Sequence, residues 1–323
     1  MNSMTASTQH AAARPVMTVQ GPAAYESLGI TDAHNHVWIS PVPGADPSSP
    51  VLDQFDAIQR ELVEYREAGG KTLLDCQPGG CGRDANKLLA LSKAAGVNLV
   101  ACTGFHRRKY HPAQHSFWLA KAEEVADLLC SELEHGLRET LDTAQPVRAG
   151  FIKIALEAAW EDGPQEAIEG AAAAAVRTKA LMEIHTEKGA LVERACIHFT
   201  DSGVQPNQLL LCHMDKRPDV GLHKGLASMG VMLEYDTFYR PKYNPAANLW
   251  RLLEEMAGAG YADRVALATD MAEAELYHNI GGGEGLASLP GEIRRQLRER
   301  GYADVQLEQL LGGNIARRLA GLN

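Results

Sequence analysis

The sequence lacks the features that mark membrane, secreted and nucleic-acid-binding proteins. No stretch approaches the run of about 18 apolar residues that a transmembrane helix needs, and the N-terminus has no apolar signal core. Six cysteines in 323 residues are too few for a disulfide framework and fit reduced thiols. Positive charge is also short, since 31 Lys+Arg against 41 Asp+Glu give a net charge of -10. We therefore expect a cytoplasmic protein without a membrane or nucleic-acid partner.

The composition that is present is that of a globular domain. Hydrophobic residues make up 45% of the chain and charged residues 22%. Residues 1–15 are polar and rich in small side chains, which predicts a disordered tail. No linker interrupts residues 16–323, so we expect them to form a single domain.

Short aliphatic or β-branched runs alternate with longer helical patterns along this domain, which is typical of a parallel sheet with crossover helices. The eight predicted strands are Ile30–Val37, Lys71–Cys76, Val97–Thr103, Ala149–Ile154, Leu181–His185, Leu209–His213, Val231–Tyr235 and Arg264–Thr269. The predicted helices are Phe55–Ala68, Asp84–Ala95, Ala120–Thr140, Glu166–Thr178, Val192–Ser202, Leu222–Ser228 and Asn248–Ala259. This order predicts an α/β fold, a (β/α)8 TIM barrel with its active site at the C-terminal face. A doubly wound open sheet is disfavoured because no GxGxxG follows the first strand.

Ionisable residues stand at the ends of several predicted strands, where buried strands are otherwise apolar. His34 and His36 are two residues apart, so both side chains point to the same side of the first strand. Lys153 lies inside an apolar strand, where an unpaired ammonium is costly. Three further strands end in His185, His213 and Asp270. Imidazole and carboxylate together favour zinc-like divalent cations, so the pattern predicts a metal site at the barrel mouth.

Short motifs accompany these residues in a fixed order. They are Val19-Gln20-Gly21-Pro22, Leu28-Gly29, Gly82-Arg83-Asp84, Thr103-Gly104-Phe105, Gly150-Phe151-Ile152-Lys153, Gly281-Gly282-Gly283 and Gly313-Asn314-Ile315-Ala316. With the His-x-His pair, the chain resembles the phosphotriesterase-related branch of the amidohydrolase superfamily over nearly its whole length after the tail. The resemblance implies a (β/α)8 barrel with a binuclear metal site at its C-terminal face, and a possible homodimer.

The resemblance also implies a ligand set. His34, His36 and Asp270 would bind the more buried metal and His185 and His213 the more exposed one, with a carboxylated Lys153 bridging the two. It implies two divalent ions per chain, with zinc expected and Mn, Co or Fe as alternatives. Burial offers a physical reason for the carboxylation, because a desolvated lysine has a lowered pKa and its neutral amine reacts with CO2.

The reaction implied is hydrolysis by a metal-bridging hydroxide, with Asp270 as the proton acceptor and His106 as a second catalytic candidate. Basic side chains follow the third, sixth and seventh strands in an otherwise acidic protein, with Lys216 and Arg217 after the sixth, which favours a small anionic substrate. The candidate substrate-binding residues are Arg107, Arg108, Tyr239, Arg240 and Lys242. Related lactonases have Tyr at the position of His106, and sugar-phosphate lactonases have Arg at that of Glu273, so the resemblance does not carry their specificity over directly.

The leading function hypothesis is therefore a binuclear-metal hydrolase that opens a small anionic lactone or carboxylic ester. An amidase or deacylase with the same metal site is an alternative, and phosphotriesterase activity is a plausible side reaction. A non-catalytic binding protein that keeps its metals is the hypothesis from a different class. A comparison of turnover on lactones with turnover on N-acyl substrates separates the first two hypotheses.

Overall fold

A computed structural model describes residues 13–322 of the chain. The tail expected over residues 1–15 lies mostly outside this range. Arg14, which the sequence assigned to that tail, donates hydrogen bonds to the carbonyl oxygens of Thr178 at 2.8 Å and Lys179 at 2.6 Å. None of the helices within residues 13–322 has the length and apolar character needed to cross a membrane. The cytoplasmic location expected from the sequence stays a prediction.

Eight parallel strands form a nearly closed barrel, which confirms the predicted TIM-barrel fold. An antiparallel hairpin of β1 Val16–Thr18 and β2 Gly21–Ala23 precedes them. The barrel strands are β3 Ile30–Asn35, β4 Gly70–Asp75, β5 Asn98–Gly104, β6 Phe151–Ala155, β7 Met182–His185, β8 Leu209–Leu211, β9 Met232–Tyr235 and β10 Val265–Leu267. Each strand pairs with the next one in chain order. Their carboxyl ends therefore meet at one face of the barrel.

Helices connect the barrel strands and complete the C-terminal region. They are α1 Phe55–Glu67, α2 Ala85–Ala95, α3 Ala122–Glu134, α4 Gln165–Thr178, α5 Val192–Asp201, α6 Val220–Ser228, α7 Leu249–Gly258, α8 His278–Gly281, α9 Arg294–Glu299, α10 Asp304–Glu308 and α11 Asn314–Leu319. Local sequence sets their ends. At α2, for example, the Asp84 carboxylate accepts from the amides of Asn86 and Lys87, and Gly96 ends the helix with a φ of 68°.

The barrel strands are buried on both faces, as expected for a parallel sheet. One apolar cluster fills the barrel interior and includes Leu74, Val100, Phe151, Leu210 and Met232. A larger cluster lies between the sheet and the surrounding helices. Charged residues inside the barrel therefore stand out against an apolar background.

The segment that follows β10 is tied to β3 and brings the barrel ends together. The Asp270 amide donates to the His34 carbonyl at 3.0 Å. The Thr269 hydroxyl donates to Asp32 Oδ2 at 2.7 Å, and the Thr269 amide donates to Asp32 Oδ1 at 3.1 Å. This closure places Asp270 beside the His-x-His segment.

Several boundaries differ from the sequence predictions. β8 ends at Leu211 rather than His213, and β10 ends at Leu267 rather than Thr269. In both cases the chain turns sharply soon after the strand, because His213 and Asp270 have a positive φ. The helix expected over 120–140 is α3 followed by a single 3-10 turn at Arg138–Thr140. The sequence did not anticipate the β1–β2 hairpin or the short helices α8–α11.

Candidate metal centre

Six side chains from five strands meet at the C-terminal face. His34 Nε2 and His36 Nε2 each lie 3.8 Å from Asp270 Oδ1. His213 Nε2 lies 2.9 Å from His185 Nδ1. Lys153 Nζ lies 3.3 Å from His34 Nε2 and 3.3 Å from the Sγ of Cys212, the residue before His213. The structure thus brings together all six residues for which the sequence predicted a common site.

Each of the four histidines has one ring nitrogen held by an acceptor on its outer side. His34 Nδ1 contacts Glu234 at 2.9 Å, and His36 Nδ1 contacts Gln77 Oε1 at 2.7 Å. His185 Nε2 lies 3.1 Å from Glu187 Oε1, and His213 Nδ1 contacts Asp236 at short range. An imidazole that donates its N–H outward presents a lone pair on its other nitrogen. The four rings therefore direct lone pairs towards the centre of the site.

Burial favours the neutral, metal-binding form of three of these rings, His34, His36 and His185. It lowers the pKa of His36 to about 4 and the pKa of His185 to about 3, and it lowers the pKa of His34 well below its usual value. His185 Nδ1 and His213 Nε2 face each other at 2.9 Å, and these are the ring nitrogens that Glu187 and Asp236 do not hold. The two nitrogens are close enough to bind one cation together.

The backbone at two of these residues adopts a sparsely populated conformation. His213 has a φ of 63° and Asp270 a φ of 46°, both in the left-handed region. Neither residue is glycine, so the surrounding structure must hold this conformation at some cost in stability. Such strain is commonly found at functional sites.

The surroundings of Lys153 differ from those assumed in the sequence argument. Lys153 Nζ forms a buried ion pair with Glu183 and lies 3.3 Å from Cys212 Sγ. Burial alone would lower the pKa of Lys153, but Cys212 and Glu183 hold it well above its usual value. This direction is opposite to the lowered pKa that the sequence argument assumed, and carboxylation of Lys153 stays a prediction.

The Asp270 carboxylate lies close to residues from both sides of the site. Its Oδ2 accepts a hydrogen bond from Arg240 at 3.1 Å and lies 3.9 Å from Lys216 Nζ. Burial would raise the pKa of Asp270, but His213 and Arg240 hold it below its usual value. Asp270 is therefore ionised at neutral pH, as a metal ligand or proton acceptor needs to be.

His106 lies beside this cluster at the mouth of the barrel. Its ring centroid is 5.0 Å from that of His185 and 6.3 Å from that of His36. His106 Nδ1 accepts a hydrogen bond from the Arg107 amide at 2.7 Å. Burial lowers the pKa of His106 well below its usual value. A neutral imidazole within reach of the site is compatible with the catalytic candidacy given by the sequence.

The predicted substrate-binding residues differ in whether they contact the cluster. Arg240 reaches the cluster directly, through Asp270. Arg107 instead binds two carboxylates, Glu157 at 3.1 Å and Glu187 at 2.7 Å. The remaining residues make their contacts elsewhere: Arg108 stacks on Trp118, Lys242 lies over Tyr243, and Tyr239 packs against the hydrophobic core.

A cavity of about 200 Å³ opens beside the cluster and shares His36, Gln77 and His106 with it. Its outer wall is the loop after β3, with the apolar side chains of Ile39, Pro41, Val42, Ala45, Pro47, Pro50 and Val51. Asp46 is the one Asp, Glu, Lys or Arg among its described lining residues, and Ser48 already binds its carboxylate. A larger cavity of about 550 Å³, lined by residues such as Tyr25 and Arg298, contains none of the site residues.

The donor atoms fit divalent cations. His34, His36 and Asp270 present ligand atoms within 4.8 Å of one another, and so do His213, Asp236 and Asp270. The buried oxygens Glu183 Oε2 and Glu234 Oε2 have no hydrogen-bond partner within the described chain. A third such group consists of His34, Glu183, Cys212 and Glu234. Lys153 Nζ already contacts Glu183 and Cys212 of this group.

Sequence reasoning missed the residues that support the ligands. These are Gln77, Glu187, Glu234 and Asp236 on the four histidines and Glu183 on Lys153. Glu234 and Asp236 carried a usable signal, since they are acidic residues two apart at the end of an apolar strand. Gln77 and Glu187 carried none, because only the tertiary structure shows which acceptor meets which ring.

Comparisons with known proteins agree with this geometry. The sequence model of the phosphotriesterase family matches residues 14–319. The chain is 28% identical to a phospho-furanose lactonase from Mycoplasmopsis synoviae, covering 94% of this chain and 91% of that protein. It is 26% identical to an N-acetyltaurine hydrolase from Salmo salar, covering 94% and 97%. The fold matches a lactonase structure from Listeria monocytogenes with a TM-score of 0.86 at 21% identity, covering 96% and 99%.

Proposed function

Because the chain belongs to the phosphotriesterase family of metal-dependent hydrolases, we propose that it opens a small anionic lactone or carboxylic ester. The observation that carries this proposal is the convergence of four histidines on one centre, each held by its own acceptor. A barrel that needed these residues only for stability would gain nothing from gathering four buried imidazoles and a carboxylate at its mouth.

We assign the ligands in two groups that share Lys153. His34, His36 and Asp270 hold the more buried ion, and His185 and His213 hold the more exposed one. Zinc is the expected metal, since imidazole and carboxylate oxygen are its common ligands, with Mn, Co or Fe as alternatives. When bound, two such cations supply an activated water at neutral pH and polarise the oxygen of the substrate.

The residues of the chain then have distinct tasks. Asp270 is ionised and accepts the proton released during the attack at its carboxylate. Arg240 fixes Asp270 through its carboxylate and its backbone oxygen, at 3.1 and 2.6 Å. His106 lies where it could move a proton to or from a leaving group, and its neutral form suits acceptance.

Carboxylation of Lys153 is part of the proposal and has a specific competitor. A carbamate on Nζ would be an anion next to Glu183, so the ion pair with Glu183 must be given up when the metals bind. Protein loaded with zinc and ¹³C-bicarbonate should show a carbamate ¹³C resonance that is lost in Lys153→Ala. Glu183→Gln removes the competing anion and should strengthen that resonance. Two bound ions without any carbamate resonance would assign the bridge to another group.

The substrate class follows from the two sides of the site. Positive charge lies on the side of β8 and β9, where the chain carries Lys216, Arg240 and Lys242. The other side is the 200 Å³ cavity next to His36 and His106, whose described lining contains no Lys or Arg. We propose that the anionic group of the substrate faces the first side. The phospho-furanose lactonase among the relatives supports a lactone as the bond that is cleaved.

An amidase or deacylase is the second candidate, and the N-acetyltaurine hydrolase among the relatives favours it. Both candidates use the same ligands, so substrates must separate them. We would assay phosphorylated and plain lactones, aryl esters and N-acyl amino sulfonates with zinc-loaded and chelated enzyme. Metal-dependent lactone turnover above amide turnover supports the first proposal. Metal content without turnover on any of these substrates would favour a binding protein, and organophosphate turnover alone would make the side reaction the main one.

A further inference from the structure

Of the four histidines, His185 has the most exposed support. Its ring is held by Glu187, whose side chain is 38% exposed, whereas Glu234 and Asp236 are fully buried. An exposed carboxylate on its own loses much of its orienting effect to solvent and to side-chain entropy. His185 therefore needs a further group that fixes Glu187.

Arg107 is that group. Its Nη1 donates to Glu187 Oε1 at 2.7 Å, the same oxygen that lies 3.1 Å from His185 Nε2. Its Nε donates to Glu157 Oε2 at 3.1 Å, and the Glu157 side chain is only 13% exposed. Glu157 also accepts from the Arg108 amide at 2.6 Å. The guanidinium is thus anchored on one carboxylate and directs the other.

We propose that Arg107 and Glu187 are positioning residues for His185 and set the affinity of the more exposed metal. Arg107 then acts through Glu187 and not as a direct contact to the substrate. This inference rests on the proposed metal centre. Carboxylates that orient metal-bound histidines typically change metal affinity by about 10- to 100-fold when they are removed.

The test measures metal binding and not turnover. Metal-free protein is titrated with Co²⁺ by visible absorption, and zinc content is measured at fixed free zinc for wild type, Glu187→Gln and Arg107→Ala. We expect the second ion to bind about 10- to 100-fold more weakly in Glu187→Gln, with the first ion unchanged. Arg107→Ala should shift it in the same direction, and Arg107→Lys should recover part of the loss.

Glu193→Gln is the matched control, because Glu193 forms a similar arginine pair with Arg217 and makes no contact with His185. Unfolding temperatures of the metal-free variants show whether each one still folds. Unchanged affinity for both ions in Glu187→Gln would overturn the inference, and so would equal weakening of both ions. A wild-type protein that binds fewer than two ions would instead refute the proposed metal centre itself.

Discussion

The two halves of the metal centre are built differently. In the deep half, His34 and His36 are supported by Glu234 and Gln77, which are 0% and 4% exposed. In the outer half, His213 has the buried Asp236, but His185 relies on the partly exposed Glu187. A buried acceptor keeps a ring in place at any salt concentration, whereas an exposed ion pair is screened. The deep ion should therefore bind more tightly, and the outer ion should exchange more readily.

The largest effect is expected where the halves join. Lys153→Ala should lose most of both metals and reduce activity to background, because this residue is the proposed ligand common to both ions. Metal analysis after gel filtration measures it, and added bicarbonate or a short carboxylic acid should restore part of the loss. Full occupancy in the variant would show that the halves bind their ions independently.

Asp270 belongs to the deep half but also faces His213. Asp270→Asn should lower kcat by about 100-fold or more with a small change in KM, because the amide fills the space but cannot accept the proton. Steady-state kinetics at saturating zinc give both constants. Activity within a few-fold of wild type would assign the proton to another group, and His106 would be tested next.

Two cationic side chains near the outer half have different proposed roles: Arg240 positions Asp270, and Lys242 binds the substrate. Arg240→Ala should lower kcat for charged and neutral substrates alike, because Arg240 holds Asp270. Lys242→Ala should raise KM by roughly tenfold for an anionic lactone only, as expected for a lost charge-assisted contact. The Lys242 effect should shrink as salt rises. Equal losses for neutral and anionic substrates in Lys242→Ala would remove it from the substrate site.

The smallest effect should be the same in both halves. The pKa is about 4 for His36 and about 3 for His185 in the folded state, below the usual value of about 6.5. Between pH of about 6.5 and about 4 these two rings bind more protons in the unfolded chain than in the folded one, so they should reduce the stability of the metal-free protein as pH falls through this range. Burial raises the pKa of Asp32, Asp75 and Asp215 to about 7, which acts in the opposite direction, so urea unfolding at several pH values must compare wild type with His36→Gln and His185→Gln. The same pH dependence in wild type and both variants would mean that these rings are not buried in neutral form.

The sequence predicted the barrel because its signal is repeated along the chain. Eight apolar runs alternate with helical patterns, and polar residues such as His34 or Lys153 stand out in them. The short helices α8–α11 escaped prediction because they are four to six residues long and follow no lasting periodicity. The pKa of Lys153 was predicted to shift in the wrong direction because only its own burial was considered, while Glu183 belongs to β7 and Cys212 follows β8. The register of the strands decides which residues of other strands face Lys153, and the sequence of one strand does not reveal that register.

The most direct test of the central claim is the position of the ions themselves. A crystal of the zinc-loaded protein, with diffraction data collected on both sides of the zinc absorption edge, should show two anomalous peaks per chain. We expect one peak among His34, His36 and Asp270 and a weaker one between His185 and His213. A single peak, or peaks away from these five side chains, would contradict the account.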